Sequence, residues 1–354
     1  MSILKRISAL VICAAMMCAG TNAVYAENNG GGDTVNIKVD GSTANTNENF
    51  LYRGQGMISC NGSSRLLIDY KEKNPESYNK ILQYMYGKNG LKFTHFKVEM
   101  GSDVNTSSGT EPTTMRYEDE KADVTRGAGF QLAADIKKIN PDVTLDMLWW
   151  SEPRWVTDAK DVYAARYKWY KQTLDAAYET YGLVFDYVSA NRNERSVDAD
   201  WIVYLSKALK SEKDCPYDYS KIKIVAADEC GTWGISRLMM KNKELCDAVD
   251  VIGSHYTSFA DDTTKKLAEE YGKELWFSEG SSPMTYAQSA YRFDEGNSGL
   301  TGLNGALDIA NRMITMVSGG YMTLYEYQPA VAGYYDGVTY CQKQLINANT
   351  PWNG

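Results

Sequence analysis

The chain has 354 residues, a formal net charge of −8 at pH 7, 44% hydrophobic residues, 7 Cys, 2 His, 8 Trp and 26 Tyr. That length can bury a large single core, since one α/β barrel takes about 250 residues. The acidic balance, with no long basic run, argues against nucleic acid as a partner. With two histidines a histidine-rich zinc site is excluded, and a Ser-His-Asp triad would have to use His95 or His255.

In chain order, Lys5 and Arg6 lead into an apolar run over 7–19, and Val24-Tyr25-Ala26 offers the small residues of a signal-peptidase site. Residues 1–26 are therefore expected to be a signal peptide, and the mature protein to be secreted or periplasmic. The run is too short to span a bilayer, so no integral membrane segment is expected after cleavage. Cleavage removes Lys5 and Arg6 and no acid, which takes the net charge from −8 to −10. Five cysteines remain, Cys60, Cys215, Cys230, Cys246 and Cys341, scattered and without a CxxC, so neither a disulfide framework nor a metal site is visible.

Residues 27–50 read as an Asn/Gly-rich linker with one strand over 35–39 that has no obvious partner. From residue 51 onward, apolar runs predict strands over 51–55, 92–100, 143–150, 185–190, 222–227, 249–255, 274–278 and 321–327. Amphipathic segments between them predict helices over 78–86, 162–181, 200–210, 235–248, 264–271 and 303–317. Asp198 or Asp200 suits a helix N-cap, and Pro75 the first turn of another helix. Eight strands separated mostly by helices point to a (β/α)8 TIM barrel over 51–354. The chain ends at "NTPWNG" with no clear helix after the eighth strand, so the barrel is expected to be incomplete at its C-terminus and the chain to be part of a longer protein.

A barrel builds its active site at the C-terminal ends of its strands. The acids there are Glu194 after the fourth strand, Glu279 in "LWFSEGSS" after the seventh, Glu152 after the third, Asp228 and Glu229 after the fifth, and Glu99 late in the second. Strands four and seven stand on opposite sides, so Glu194 and Glu279 are expected to face each other. Such a pair suits glycoside hydrolysis, in which one carboxyl protonates the leaving oxygen and the other, ionised, attacks the anomeric carbon. A like charge nearby raises the pKa of the acid partner.

Asn193 can offer its amide to the hydroxyl beside the reacting carbon, or serve as an Asx turn. Arg195 suits a ligand clamp or a surface ion pair. His255, with Tyr256 beside it in "GSHYTSF", is expected at the rim of the pocket in contact with substrate, and His95 is expected to be buried. The many Trp and Tyr rings suit stacking on sugar CH groups. No nucleotide-binding loop is present, and no cofactor or metal is expected.

"NRNERSVDADWIVYLSKAL" resembles the acid/base segment of the galactocerebrosidases, glycoside hydrolase family 59. "SSRLLIDY", "FKVEMGSDVNTSSGTEPTTMRY", "WWSEPRW", "DVIGSHY" and "LWFSEG" resemble further blocks of that family in the same order, from about Gly54 to Gly354. The resemblance implies a retaining β-galactosidase with Glu194 as acid/base, Glu279 as nucleophile and Asn193 as the 2-hydroxyl contact. It also implies that Thr110 and Trp150 select galactose; read alone, they are a loop residue and a packed strand-end ring.

By the same resemblance the strand over 35–39 belongs to a β-sandwich whose remainder is missing here, followed by a lectin-like domain, and an Arg from beyond the barrel reaches the galactose. Two positions depart: Arg192 stands where the animal enzymes have Trp, and Gln328 replaces a Trp near the end of strand eight. The expected function is cleavage of terminal β-D-galactosides, galactosylceramide-like or glycan, through a covalent glycosyl-enzyme intermediate. The alternatives are a retaining β-glucosidase or β-xylosidase of the same clan, and an inactive sugar-binding barrel fragment.

Overall fold

The strand His95–Glu99 carries in five residues the alternation on which the fold is built. Phe96 and Val98 lie in the main apolar core, while His95 and Lys97, on the other face, are also buried, at 1% exposure each. Because strand side chains alternate in direction, one face packs under helices and the other fills the interior of a barrel. The computed structural model describes residues 50–59, 61–106, 109–257, 259–280, 303–328, 330–333 and 345–348. The expected signal peptide and the strand over 35–39 lie outside the described residues.

Eight parallel strands make up the sheet: β1 (Gly54–Ser59), β2 (His95–Glu99), β3 (Thr144–Leu148), β4 (Tyr187–Ser189), β5 (Lys223–Cys230), β6 (Val251–His255), β7 (Glu274–Gly280) and β8 (Met322–Tyr327). Their order is β3-β2-β1-β8-β7-β6-β5-β4, with β1 paired directly to β8 through Gly54 and Leu324. The two ends of that order meet, since Asp186 N–H donates to Leu145 O and Asn193 N–H to Trp149 O, each at 3.0 Å. The sheet is thus a nearly closed (β/α)8 TIM barrel, as the sequence predicts.

The first strand lies over Gly54–Ser59 rather than 51–55. Its glycines hide it from propensity, yet a Cβ on Gly56 would lie 2.6 Å from His95 O of the neighbouring strand. Helix Val162–Tyr181 matches its predicted span, opened by Asp161, whose carboxylate accepts from Ala164 N–H, and closed by Gly182 at φ 68°. Asp198, not Asp200, caps helix Ala199–Ser211, and Pro75 opens helix Pro75–Tyr86.

The single helix predicted over 235–248 is two, Gly234–Met239 and Lys243–Ala248. The chain breaks there because the Asn242 side chain accepts from Leu245 N–H and starts a new helix. Helices Asn61–Lys73 and Ala128–Ile139 had no counterpart in the sequence reading. After β8, Val331–Gly333 and Ile346–Ala348 pair as a short parallel ribbon. Among the described residues no helix is long and apolar enough to cross a membrane.

Inside the barrel the side chains form layers. Tyr187, Val225, Val251, Trp276 and Leu324, one from each of β4 to β8, make a buried cluster separate from the main core. Towards the C-terminal ends of the strands lie the buried polar groups of Lys97, Asp146, Ser189, Asp228, Ser278 and Glu326. The candidate site stands on that polar layer.

Candidate active site

Glu194, five residues beyond the end of the short strand β4, is in a left-handed conformation, φ 56°, and its N–H donates to Asp228 O at 3.1 Å. Asp228 and Tyr256, at or just beyond the ends of β5 and β6, share that conformation at φ 54°. Each such residue without the freedom of glycine costs about 1 kcal/mol or more, and such strain concentrates where side-chain direction matters. Three adjacent strand ends thereby aim polar side chains at one spot.

At that spot lie Glu194, His255 and Glu279, each offering one atom within 4.8 Å of the others. The expected facing pair is therefore assembled. The two carboxylates have different surroundings: the Glu194 side chain is 33% exposed and that of Glu279 is 2% exposed. Glu279 accepts from Tyr256 OH at 2.5 Å and from Asn193 Nδ2 at 3.5 Å. Tyr256 OH also lies 3.4 Å from Gln328 Oε1.

His255 is not a rim residue. Its side chain is fully buried beneath the carboxylates, with Nδ1 3.0 Å from Glu194 Oε1 and 3.5 Å from Glu279 Oε2, and Nε2 3.5 Å from Asp228 Oδ1. Burial alone would lower its pKa, but Glu279, Asp228 and Glu194 overcome that and raise it to about 10. The three atoms of Glu194, His255 and Glu279 lie close enough to hold a metal ion, yet a ligating imidazole must be neutral and this one is set to be a cation. The donor set suits an imidazolium between acids better than a metal.

Beneath His255 a lysine on β2 links the acids of three other strands. Lys97 Nζ is 2.9 Å from Glu326 Oε2, 3.5 Å from Asp146 Oδ2 and 3.6 Å from Asp228 Oδ1. Burial opposes its charge, but Asp228, Glu326 and Asp146 outweigh it and hold the ammonium above the ordinary lysine range. Asp228 has the converse balance: burial would raise its pKa, and Lys97, His255 and Ser278 hold it well below the usual carboxylate range. Burial lifts Asp146 to about 6 against the pull of Lys97 and His95. Ser278 Oγ donates to Asp228 Oδ1 at 2.5 Å across the position of Gly253, where a Cβ would lie 2.6 Å from both atoms.

The remaining expected residues stand apart from this cluster. Thr110 lies on a small hairpin after β2, exposed, with its hydroxyl 3.3 Å from Asn105 Oδ1. Trp150 is 7% exposed and packs with Ile58 and Leu148; its carbonyl accepts from Arg192 Nε at 2.7 Å. Among the described residues neither makes a hydrogen bond to the two carboxylates or to His255. Glu152 pairs with Arg166, whose Nη2 is 3.0 Å from Oε2, and Glu229 accepts from Ile235 N–H at 2.9 Å. Those two strand-end acids serve structural roles. Lys97 and Glu326 were missed as parts of the site, although Lys97 in the middle of "HFKVE" sits in the interior phase of the strand and could have been found by alternation.

Comparisons with known proteins bear on the family and the fold. A model described as "Glycosyl hydrolase family 59" matches residues 52–354. The galactocerebrosidase of Macaca mulatta is 34% identical over 311 residues, covering 86% of this chain and 41% of that protein. The chain thus spans about two-fifths of the length of the curated relatives it matches. SrfJ from Salmonella typhimurium superposes with a TM-score of 0.63 at 16% identity, over 83% of this chain and 68% of that one. The catalytic domain of GH30 xylanase C from Talaromyces cellulolyticus gives 0.60 at 13% identity, over 85% and 72%; at such identities both carry the fold alone. With the family model matched across the barrel and the relatives aligned over most of the chain, the protein belongs to glycosyl hydrolase family 59.

Proposed function

We propose that this chain is the barrel of a secreted retaining glycosidase that removes terminal β-linked galactose by double displacement. The observation that carries the reading is the pair of carboxylates, Glu194 beyond the end of β4 and Glu279 on β7, with oxygen atoms within 4.8 Å of each other. A retaining mechanism uses carboxyl groups about 5 Å apart, and an inverting one needs more room for water. Galactose as the sugar rests on the galactocerebrosidase relatives, and secretion on the leader-like first 26 residues.

In this reading Glu279 is the nucleophile, because Tyr256 OH and Asn193 Nδ2 aim donors at a buried carboxylate. Glu194, more open to solvent, protonates the leaving oxygen and later takes a proton from water. Asn193, next to Glu194 in the chain and with Nδ2 3.5 Å from Glu279 Oε2, offers its amide towards the sugar 2-hydroxyl. Thr110 and Trp150 border the galactose, and the aglycone is a ceramide-like lipid or a glycan.

The test is the initial rate on an aryl β-galactoside beside the matching β-glucoside and β-xyloside, for residues 27–354 and the Glu279→Ala variant. Galactoside turnover that vanishes in the variant is expected. A glucoside or xyloside preference would move the assignment to another sugar, and sugar binding without turnover by a folded chain would make it a binding fragment.

A further inference from the structure

Double displacement moves a negative charge. In the first half, Glu279 attacks the anomeric carbon, a C–O ester bond forms, the glycosidic C–O bond breaks, and the leaving oxygen takes the proton of Glu194. Negative charge leaves Glu279 and appears on Glu194. In the second half, water attacks the same carbon and gives its proton to Glu194, the ester bond breaks, and the charge returns to Glu279. A donor fixed to one carboxylate helps only one end of each step.

His255 Nδ1 lies within reach of both, 3.0 Å from Glu194 Oε1 and 3.5 Å from Glu279 Oε2. Its other nitrogen faces Asp228 Oδ1 at 3.5 Å, and that carboxylate is held by Ser278 Oγ at 2.5 Å and by Lys97 Nζ at 3.6 Å. We propose that His255, held between Asp228 below and the two carboxylates above, is a shared hydrogen-bond donor that follows the charge between Glu279 and Glu194. The inference rests on the retaining reading of the same two carboxylates. Asp228 acts as a positioning residue: it touches no substrate and sets the ring's charge and orientation from below, while Lys97 and Ser278 hold Asp228 ionised.

The charged groups around the ring support this division. Acids face it from three strands, Glu194 after β4, Asp228 on β5 and Glu279 on β7, and the Tyr256 ring meets it edge-on at 6.0 Å. Lys97 stands behind Asp228, and its remaining charge is taken up by Glu326 on β8 and Asp146 on β3. Burial works against the imidazolium, and the surrounding carboxylates lift its pKa to about 10. The donor therefore stays charged through both halves of the cycle at any pH well below about 10.

The chain has only two histidines, so imidazole NMR on histidine-labelled protein reads His255 directly, with His95→Gln for assignment. The expected result is that His255 stays protonated to about pH 9, and that in Asp228→Asn its midpoint falls by one unit or more, each unit a factor of about ten in the equilibrium. On an aryl β-galactoside kcat of that variant should fall, with KM little changed. A wild-type midpoint near the ordinary value of about 6.5 overturns the proposal, whether or not Asp228→Asn folds. An unshifted midpoint in a folded Asp228→Asn also overturns it. Neither titration uses a substrate, so its failure is distinct from failure of the galactosidase reading.

Discussion

Replacing Lys97 by Met tests the buried charge layer on which the site stands. Met fills similar space without the ammonium, and leaves Glu326, Asp146 and Asp228, formerly 2.9 Å, 3.5 Å and 3.6 Å from Nζ, without their shared cation. Removing one partner of a buried ion pair typically costs about 3–5 kcal/mol. The cost should depend on pH, because the acids can relieve it by binding a proton. Asp146 already has its folded pKa raised to about 6, so its contribution is fully present below the unfolded carboxylate value and is lost as pH rises through about 6.

If the variant holds one extra proton from about pH 6 to about pH 8, linkage adds about 1.4 kcal/mol per unit, or about 3 kcal/mol in all. Urea unfolding of wild type and variant near pH 5 and near pH 8 measures this through the shift in midpoint. The variant should lose markedly more stability at the higher pH. A loss below about 1 kcal/mol, or one equal at both pH values, would refute the view that Lys97 neutralises acids inside the barrel.

Glu194→Gln should slow hydrolysis of galactosides with poor leaving groups by about 10²–10⁴-fold, and activated aryl galactosides much less, as a leaving-group series would show. Glu111 is 5% exposed; burial lifts it to about 7 against the pull of the Ala128 and Gly129 N–H groups and of Arg65. Its folded pKa is raised, so its contribution is present below about pH 4.5 and lost as pH rises through about 7; Glu111→Gln should flatten the thermal-stability profile in that window. Gly253→Ala should push apart Ser278 and Asp228 and lower activity more than a surface Gly→Ala change does, measured as kcat beside the melting temperature.

Much of the barrel was legible because each strand is a short apolar run and several helices carry their own caps. Helix Val162–Tyr181 has an Asp before it and a Gly after it, and its boundaries follow from those two residues. β1 was misplaced because Gly54 and Gly56 lower strand propensity, while the need for them comes from His95 on the next strand and Thr94 just before it. That information is tertiary and absent from any local window.

The same division holds at the site. Glu194 and Glu279 could be read from their places at strand ends, and the family-like blocks around them sharpened the choice. His255 was expected at the rim because a polar residue ending a strand is usually half open, whereas the converging acids of three strands bury it as a cation. Lys97, Asp146, Asp228 and Glu326 meet only when the ring of strands closes, so no spacing along the chain announces them as a unit.

The most direct test of the central claim is to incubate residues 27–354 with an activated 2-deoxy-2-fluoro-β-galactoside and measure the protein's mass, then the labelled peptide. The account predicts one fluorogalactosyl adduct, located on Glu279 and absent from Glu279→Ala. No adduct, or an adduct on any other residue, contradicts it.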